Sequence, residues 1–475
     1  MTQDTLNVLQ KLMFGVPCEQ LSTELNAWRA ELKKEYPGAG EERQGEIAEA
    51  VAESAIDLQS GMADWNLRCT DKHQHCCECG EKNSELLEGE SKTNLALLRE
   101  WGRADLADSA EAQITSIAAS NLLKLTRMSL FGTCNTYWGN DYATGLREAM
   151  RRGAAMVTTN PVLVNIARNE EPEVWTPVRD ALQAKHPDFD AVGLAYALTI
   201  QVVVGNARLL RPIWEITDGD MGYVSLQLSP KNATDAEQMV KEAKWVWSQL
   251  EQELGGVPNC VFKVPGTMAG IDVAAELTSC AMGVNVTVNY SLPQQIAFAG
   301  AIEKYSTTPV SYRTQMDGRV DDPVGDELKA HMEDWEEVKK WCTTAIRQRE
   351  YRLLNFTPQR GGLGFTKSRP LPASGRGPWN ILRSVHSEPE VPLFLTVFPN
   401  RQEEFDAEPM EIDPNGMWTP LPAGYLDKLY KSELFRKGFE PDGMTADEFD
   451  TYLPVVQTLK QFNEGYDEFL AWVSG

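Results

Sequence analysis

One cation stands where cations rarely stand. In Val261-Phe-Lys-Val-Pro-Gly-Thr-Met-Ala-Gly-Ile271, Lys263 sits among Val261, Phe262 and Val264. Lysine is almost never buried without a reason. Removing an ammonium from water favours its neutral form, and a neutral amine is a nucleophile that condenses with carbonyl carbons. The competing reading is a strand-end lysine whose stem lies on apolar surface while its head reaches solvent. A second stretch with chemical potential is Cys69-Thr-Asp-Lys-His-Gln-His-Cys-Cys-Glu-Cys79. Thiolates and imidazoles are zinc ligands, so Cys69, His73, His75, Cys76 and Cys79 are candidate ligands of a structural metal. The spacing lacks the two separated Cys-x-x-Cys pairs of an ordinary zinc site, and a reduced surface loop is the alternative.

The elements that must position Lys263 can be read from the pattern around it. Residues 260–264 form a short apolar strand closed by Pro265-Gly266, and a helix is expected from Met268 to Ala281. The same strand-then-helix texture extends from Met128 to Val397. Strands are expected at 128–133, 154–159, 223–228, 260–264, 284–290, 309–314, 369–373 and 392–397. Such alternation implies a parallel sheet, and eight units suit a closed (β/α)8 TIM barrel within the α/β class. No Gly-x-Gly-x-x-Gly follows the first strand, which argues against a dinucleotide-binding sheet. Residues 1–125 read as a helical N-terminal extension carrying the Cys/His-rich loop. Residues 126–406 read as the barrel, and 407–475 as a C-terminal helical segment packed on it. From Asp450 to Trp472, Leu453, Val456, Leu459, Phe462, Tyr466, Phe469 and Trp472 recur at helical spacing.

Composition narrows the function. The formal net charge of -24 repels nucleic acid and anionic lipid. No apolar run of bilayer length is evident, and the N-terminus lacks a signal-peptide pattern. A cytoplasmic protein with reduced thiols is expected, binding a small molecule and neither nucleic acid nor membrane. A homodimer is left open.

In a barrel of this kind the C-terminal strand ends build the site. Those ends offer one amine, several hydroxyls and amides, and a few arginines. No carboxylate pair of glycosidase type and no metal-ligand cluster is evident there. Several segments together resemble one family. The Lys263 segment is similar to the Schiff-base lysine segment of transaldolases. Thr158-Thr-Asn-Pro-Val-Leu-Val164 resembles the end of their second strand, and Val284-Asn-Val-Thr-Val-Asn-Tyr-Ser291 their Asn-x-Thr strand. Asp317-Gly-Arg319, after Ser311, resembles their Gly-Arg phosphate clamp, and Ala373-Ser-Gly-Arg376 their second phosphate arginine. The segments fall in family order between Met128 and Asp406.

The resemblance implies a (β/α)8 fold and transfer of a dihydroxyacetone unit between sugar phosphates, a step of the pentose phosphate pathway. The unit is carried on Lys263 as a Schiff base, with no cofactor. It further implies that Thr158, Asn160, Asn285 and Ser311 hold substrate, and that Thr287 and Gln227 serve the proton relay. Arg319, Ser374 and Arg376 would grip the phosphate. Two positions depart from the family pattern. Gly132-Thr133 stands for its first-strand Asp-Thr, and Gln227 for its third-strand Glu; glutamine has no ionisable group for base chemistry. A fructose-6-phosphate-aldolase-like lyase, whose branch carries Gln on this strand, and a non-catalytic sugar-phosphate-binding barrel are the alternatives.

Overall fold

The computed structural model describes residues 18–70 and 77–475, and side chains from 20 onward except those of 66–83, 161, 163 and 167. Candidate metal ligands Cys69, His73, His75, Cys76 and Cys79 lie outside the described side chains.

Eight parallel strands form one sheet: β1 (Thr136–Asn140), β2 (Met156–Thr158), β3 (Tyr223–Gln227), β4 (Cys260–Pro265), β5 (Gly283–Thr287), β6 (Tyr312–Met316), β7 (Arg369–Ala373) and β8 (Leu393–Val397). Strands β1 to β7 pair in sequence order, and β8 pairs with β1, so the sheet curls into the expected barrel. Strands β7 and β8 pack together without a hydrogen-bonded ladder. The sequence of β7, Arg-Pro-Leu-Pro-Ala, explains this seam. Arg369 donates its N–H to Ser311 on the β6 side. The alternate residues Pro370 and Pro372 face β8 and have no N–H to give.

The first strand differs from the sequence expectation. Residues 128–130 are not strand but the last turn of helix Asn121–Leu130. Ser120 caps that helix by accepting the N–H of Leu123 at 3.1 Å, and Gly132, at φ 81°, ends it. The strand begins only at Thr136. The apolar run Met128-Ser-Leu-Phe131 imitates a strand because it is short, where length cannot separate the two patterns.

Side chains of one parity point into the barrel. At the N-terminal end, the rings of Tyr223 and Tyr312 lie 6.4 Å apart, those of Tyr312 and Phe394 5.2 Å, and those of Tyr137 and Phe394 5.5 Å. They make a floor. The N-terminal helices seal it from below. Trp65, on helix Gly61–Thr70, stands 6.0 Å from Tyr137 and donates to the carbonyl of Gly153 at 3.4 Å. Gly61 permits that approach, since a Cβ there would lie 2.7 Å from the Gly153 nitrogen. Buried Arg151 is held by Asp57 at 2.9 Å, joining helix Glu41–Asp57 to the barrel wall.

Helix Ala191–Ile216 is long and apolar enough to cross a membrane by length and composition, contrary to the reading that no run reaches that length. It packs on β3 and on helix Ala236–Leu254, with 56% of its most apolar window buried. The C-terminal helix Leu453–Val473 crosses the opposite end of the barrel. It touches the helices that follow β2 and β6 and the turn after β3.

Candidate active site

Lys263 lies on the inner face of β4, in register with Gln227 of β3 and Asn285 of β5. Its parity follows from Phe262, whose ring meets Trp247 of the outer helix layer at 6.1 Å. Only 6% of Lys263 is exposed. Its Nζ donates to the carbonyl of Thr159 at 2.7 Å. Burial brings its pKa down from 10.5 to about 8, and the negative charge of Asp141 opposes the fall. An appreciable fraction is therefore free amine near neutral pH, which is what carbonyl condensation requires. Around Nζ stand Thr287 and Gln227, which line the same small cavity. The side-chain oxygen of Gln227 is buried and accepts no hydrogen bond.

The backbone beside Lys263 is held under strain. Val288 follows Thr287 with φ 53°, a conformation costly for a β-branched residue. Gln294 fixes it by donating to the carbonyls of Gly266 at 2.6 Å and Val288 at 3.3 Å. The loops after β4 and β5 are thus bridged by one amide, and Thr287 is set against Lys263. Ser374, at the end of β7, is likewise at φ 53°. Strained residues therefore mark strand ends at this mouth.

Comparison with known proteins agrees with this geometry. The family model described as Transaldolase/Fructose-6-phosphate aldolase matches residues 144–363, which carry β2 to β6 and Lys263. The match covers just under half of the chain, 220 of its 475 residues. Transaldolase of Thiobacillus denitrificans is 33% identical over 142 residues, 30% of this chain and 37% of that protein. Transaldolase of Thermobifida fusca is 32% identical over 151 residues, 32% of this chain and 39% of that protein. Transaldolase of Neisseria meningitidis is 27% identical over 221 residues, 40% of this chain and 59% of that protein. The matches thus span well under two thirds of these relatives' own lengths.

Set against the family pattern, the candidate residues divide. Thr158, Asn160, Gln227, Lys263 and Thr287 gather at one end of the barrel, in two adjoining cavities that share Gln227, with Thr158 at the end of β2. Asn285 lies one layer deeper. Its amide donates to Ser225 at 3.0 Å and accepts from Thr314 at 2.6 Å. Ser311 does not join them. It precedes β6, and its hydroxyl accepts the N–H of Val284 near the start of β5, towards the barrel floor. The inward hydroxyl of β6 is Thr314. The expected strand 309–314 ends at the middle of the real one, so its residues lie nearer the floor than the sequence pattern implies.

The same error of register hid a carboxylate. Gly132-Thr133 is not at the end of the first strand; Asn140-Asp141 is. Asp141 accepts from Thr158 Oγ1 at 2.5 Å, and its backbone N–H bonds Val397 at 3.2 Å. The mouth therefore has an acid beside its lysine. The aromatic run Thr136-Tyr-Trp-Gly-Asn140, with Asp141 behind it, was the available sequence signal.

The arginines stand apart from the lysine cavity. Arg376 is exposed and donates to Asp322 from Nε at 3.0 Å and Nη2 at 2.9 Å. Its guanidinium lies over Gly318, where a Cβ would come within 2.2 Å of the guanidinium carbon. Gly318 and Arg376 both donate to the Ser374 carbonyl, at 3.1 and 3.0 Å. Arg319 donates to Gln461 of the C-terminal helix. It lines an open cleft with Thr458, Lys460 and Gln461, whereas Leu459 and Phe462 of that helix cover Lys263.

Proposed function

We propose that the protein is a cytoplasmic transaldolase-like transferase that carries a dihydroxyacetone unit between sugar phosphates as a Schiff base on Lys263. The observation behind this reading is a lysine that is buried, partly deprotonated near neutral pH and flanked by an acid at a barrel mouth. The Lys263 amine adds to the ketose C2 carbonyl, and the carbinolamine loses water to an iminium. The iminium draws in the electron pair of the C3–C4 bond as Asp141 takes the C4 hydroxyl proton. The aldehyde leaves, and the enamine attacks an acceptor aldehyde. Hydrolysis then restores Lys263. Gln227 and Thr287 serve the water that enters and leaves, the unpartnered Gln227 oxygen accepting one of its protons. Thr158, Asn160 and Asn285 meet sugar hydroxyls. Arg319, Arg376 and the Ser374 turn bind phosphate, for which the guanidinium fork is suited.

Borohydride trapping tests the reading. Reduction in the presence of fructose 6-phosphate should fix a three-carbon mass increment on Lys263 in peptide maps, and Lys263→Met should abolish it. Absence of adduct with both fructose 6-phosphate and dihydroxyacetone would refute the mechanism. If an acceptor such as erythrose 4-phosphate does not accelerate turnover, the lyase reading replaces the transferase one.

A further inference from the structure

Lys263 and Arg319 do not share a cavity, although one ketose phosphate must touch both if the Schiff-base reading holds. Helix Leu453–Val473 runs between them. Leu459 and Phe462 wall the space at Lys263, while Gln461, the residue next to Phe462, occupies Arg319. Phe462 is 2% exposed, so the cover is shut. Polar contacts fasten the helix. Tyr290 donates to Thr458 at 2.5 Å, Lys231 pairs with Asp467 at 2.6 Å, and Asn165 donates to the Gly465 carbonyl at 2.5 Å. Most of these fastenings reach from loops and helices that follow β2, β3, β5 and β6, on the active-site side.

We propose that this helix is a lid and that Gln461 is its phosphate-sensitive latch. The proposal rests on the Schiff-base reading for its purpose, though not for its test. A neutral amide oxygen gives the Arg319 guanidinium one bond and no opposite charge, whereas a phosphate dianion supplies both the opposite charge and two parallel bonds. Phosphate arriving at Arg319 therefore displaces Gln461. The helix loosens at Gln461, and its neighbour Phe462 withdraws from above Lys263. Arg319 and Lys263 then face one space. Gln461 thereby acts as a specificity-determining residue, because an unphosphorylated ketose has no group to displace it and reacts only when the latch opens unaided.

The test uses the full chain and two readouts. First, amide hydrogen exchange across 453–473 is measured with inorganic phosphate and with chloride at equal ionic strength. Phosphate should speed exchange in the wild type and leave Gln461→Ala, already fast, unchanged. Second, the rate of borohydride trapping of dihydroxyacetone is followed. An exposed polar latch is worth up to about 1 kcal/mol, so Gln461→Ala should trap roughly three- to fivefold faster than wild type without phosphate. Gln461→Glu, which adds a charge to the latch, should trap more slowly. Inorganic phosphate should accelerate the wild type and not Gln461→Ala. Wild-type exchange that ignores phosphate, or Gln461→Ala that traps no faster than wild type, overturns the lid. If no variant forms an adduct, the Schiff-base reading fails, and the exchange comparison by itself decides the lid.

Discussion

The two ends of this barrel are closed in opposite ways. The floor is closed by rings and by helices that bury Trp65 against Tyr137 and Arg151 against Asp57. Trp65, Arg151 and Tyr223 have partners there, and of the floor rings Tyr312 alone buries a hydroxyl without one. The mouth is closed by a single helix fastened through a few side chains. Beneath that helix lie a depressed lysine, an unpaired Gln227 oxygen and a valine at positive φ. Each of these costs stability where it stands. The comparison separates two jobs. The floor uses burial to hold eight strand ends in register, and the mouth spends part of that stability to keep groups unsatisfied until substrate arrives.

Asp141→Asn should give the largest effect at the mouth. Losing a group that moves a proton in the transition state costs about 10²–10⁴ in rate. Carbon–carbon cleavage should fall by that factor. Adduct on Lys263 should still form, because the amine is retained. Removing the charge that raises the Lys263 pKa should shift the pH midpoint of trapping below about 8. An upward shift, or undiminished cleavage, would mean that Asp141 acts elsewhere.

Trp65→Ala tests the other end. Deleting a fully buried tryptophan costs about 3–5 kcal/mol. Urea unfolding should show that loss, while the trapped fraction per folded molecule stays at the wild-type value. A change in trapping chemistry at equal folded fraction would join the two ends that the structure keeps apart.

Most of the barrel was legible because strand and helix patterns differ in period, and because Lys263 among Val and Phe breaks the pattern of a parallel strand. What failed was register at β1 and β6. The sequence pattern puts Ser311 at the mouth and passes over Asp141, since an end shifted by a few residues exchanges floor for mouth. The relation of Arg319 to Lys263 was not legible either. The spacing Leu459, Phe462, Tyr466, Phe469 shows that this face is buried, but amphipathic spacing alone cannot tell a barrel wall from a barrel mouth. The pairing of Gln461 with Arg319 is a contact across 142 residues, which no local pattern encodes.

The smallest expected effect is also the sharpest test of what the mouth costs. Lys263 has a folded pKa of about 8 against 10.5 for a solvated lysine. Between those values the unfolded chain binds more protons than the folded one, so this residue's contribution to stability rises as pH climbs through that window. Below pH 8 the folded protein carries the full penalty of a buried ammonium, about 3 kcal/mol. Lys263→Met keeps the length of the side chain and removes the charge. It also removes the bond to the Thr159 carbonyl, worth about 1 kcal/mol. At pH 7 the variant should therefore exceed the wild type in stability by roughly 2 kcal/mol, and the gap should close as pH approaches 10.5. Urea midpoints for both proteins at pH 7 and pH 10 would show it. A wild type that is the more stable of the two at pH 7 would mean that Lys263 carries no desolvation cost, and the contrast between a floor of packed rings and a mouth with a buried cation would lose its strongest member.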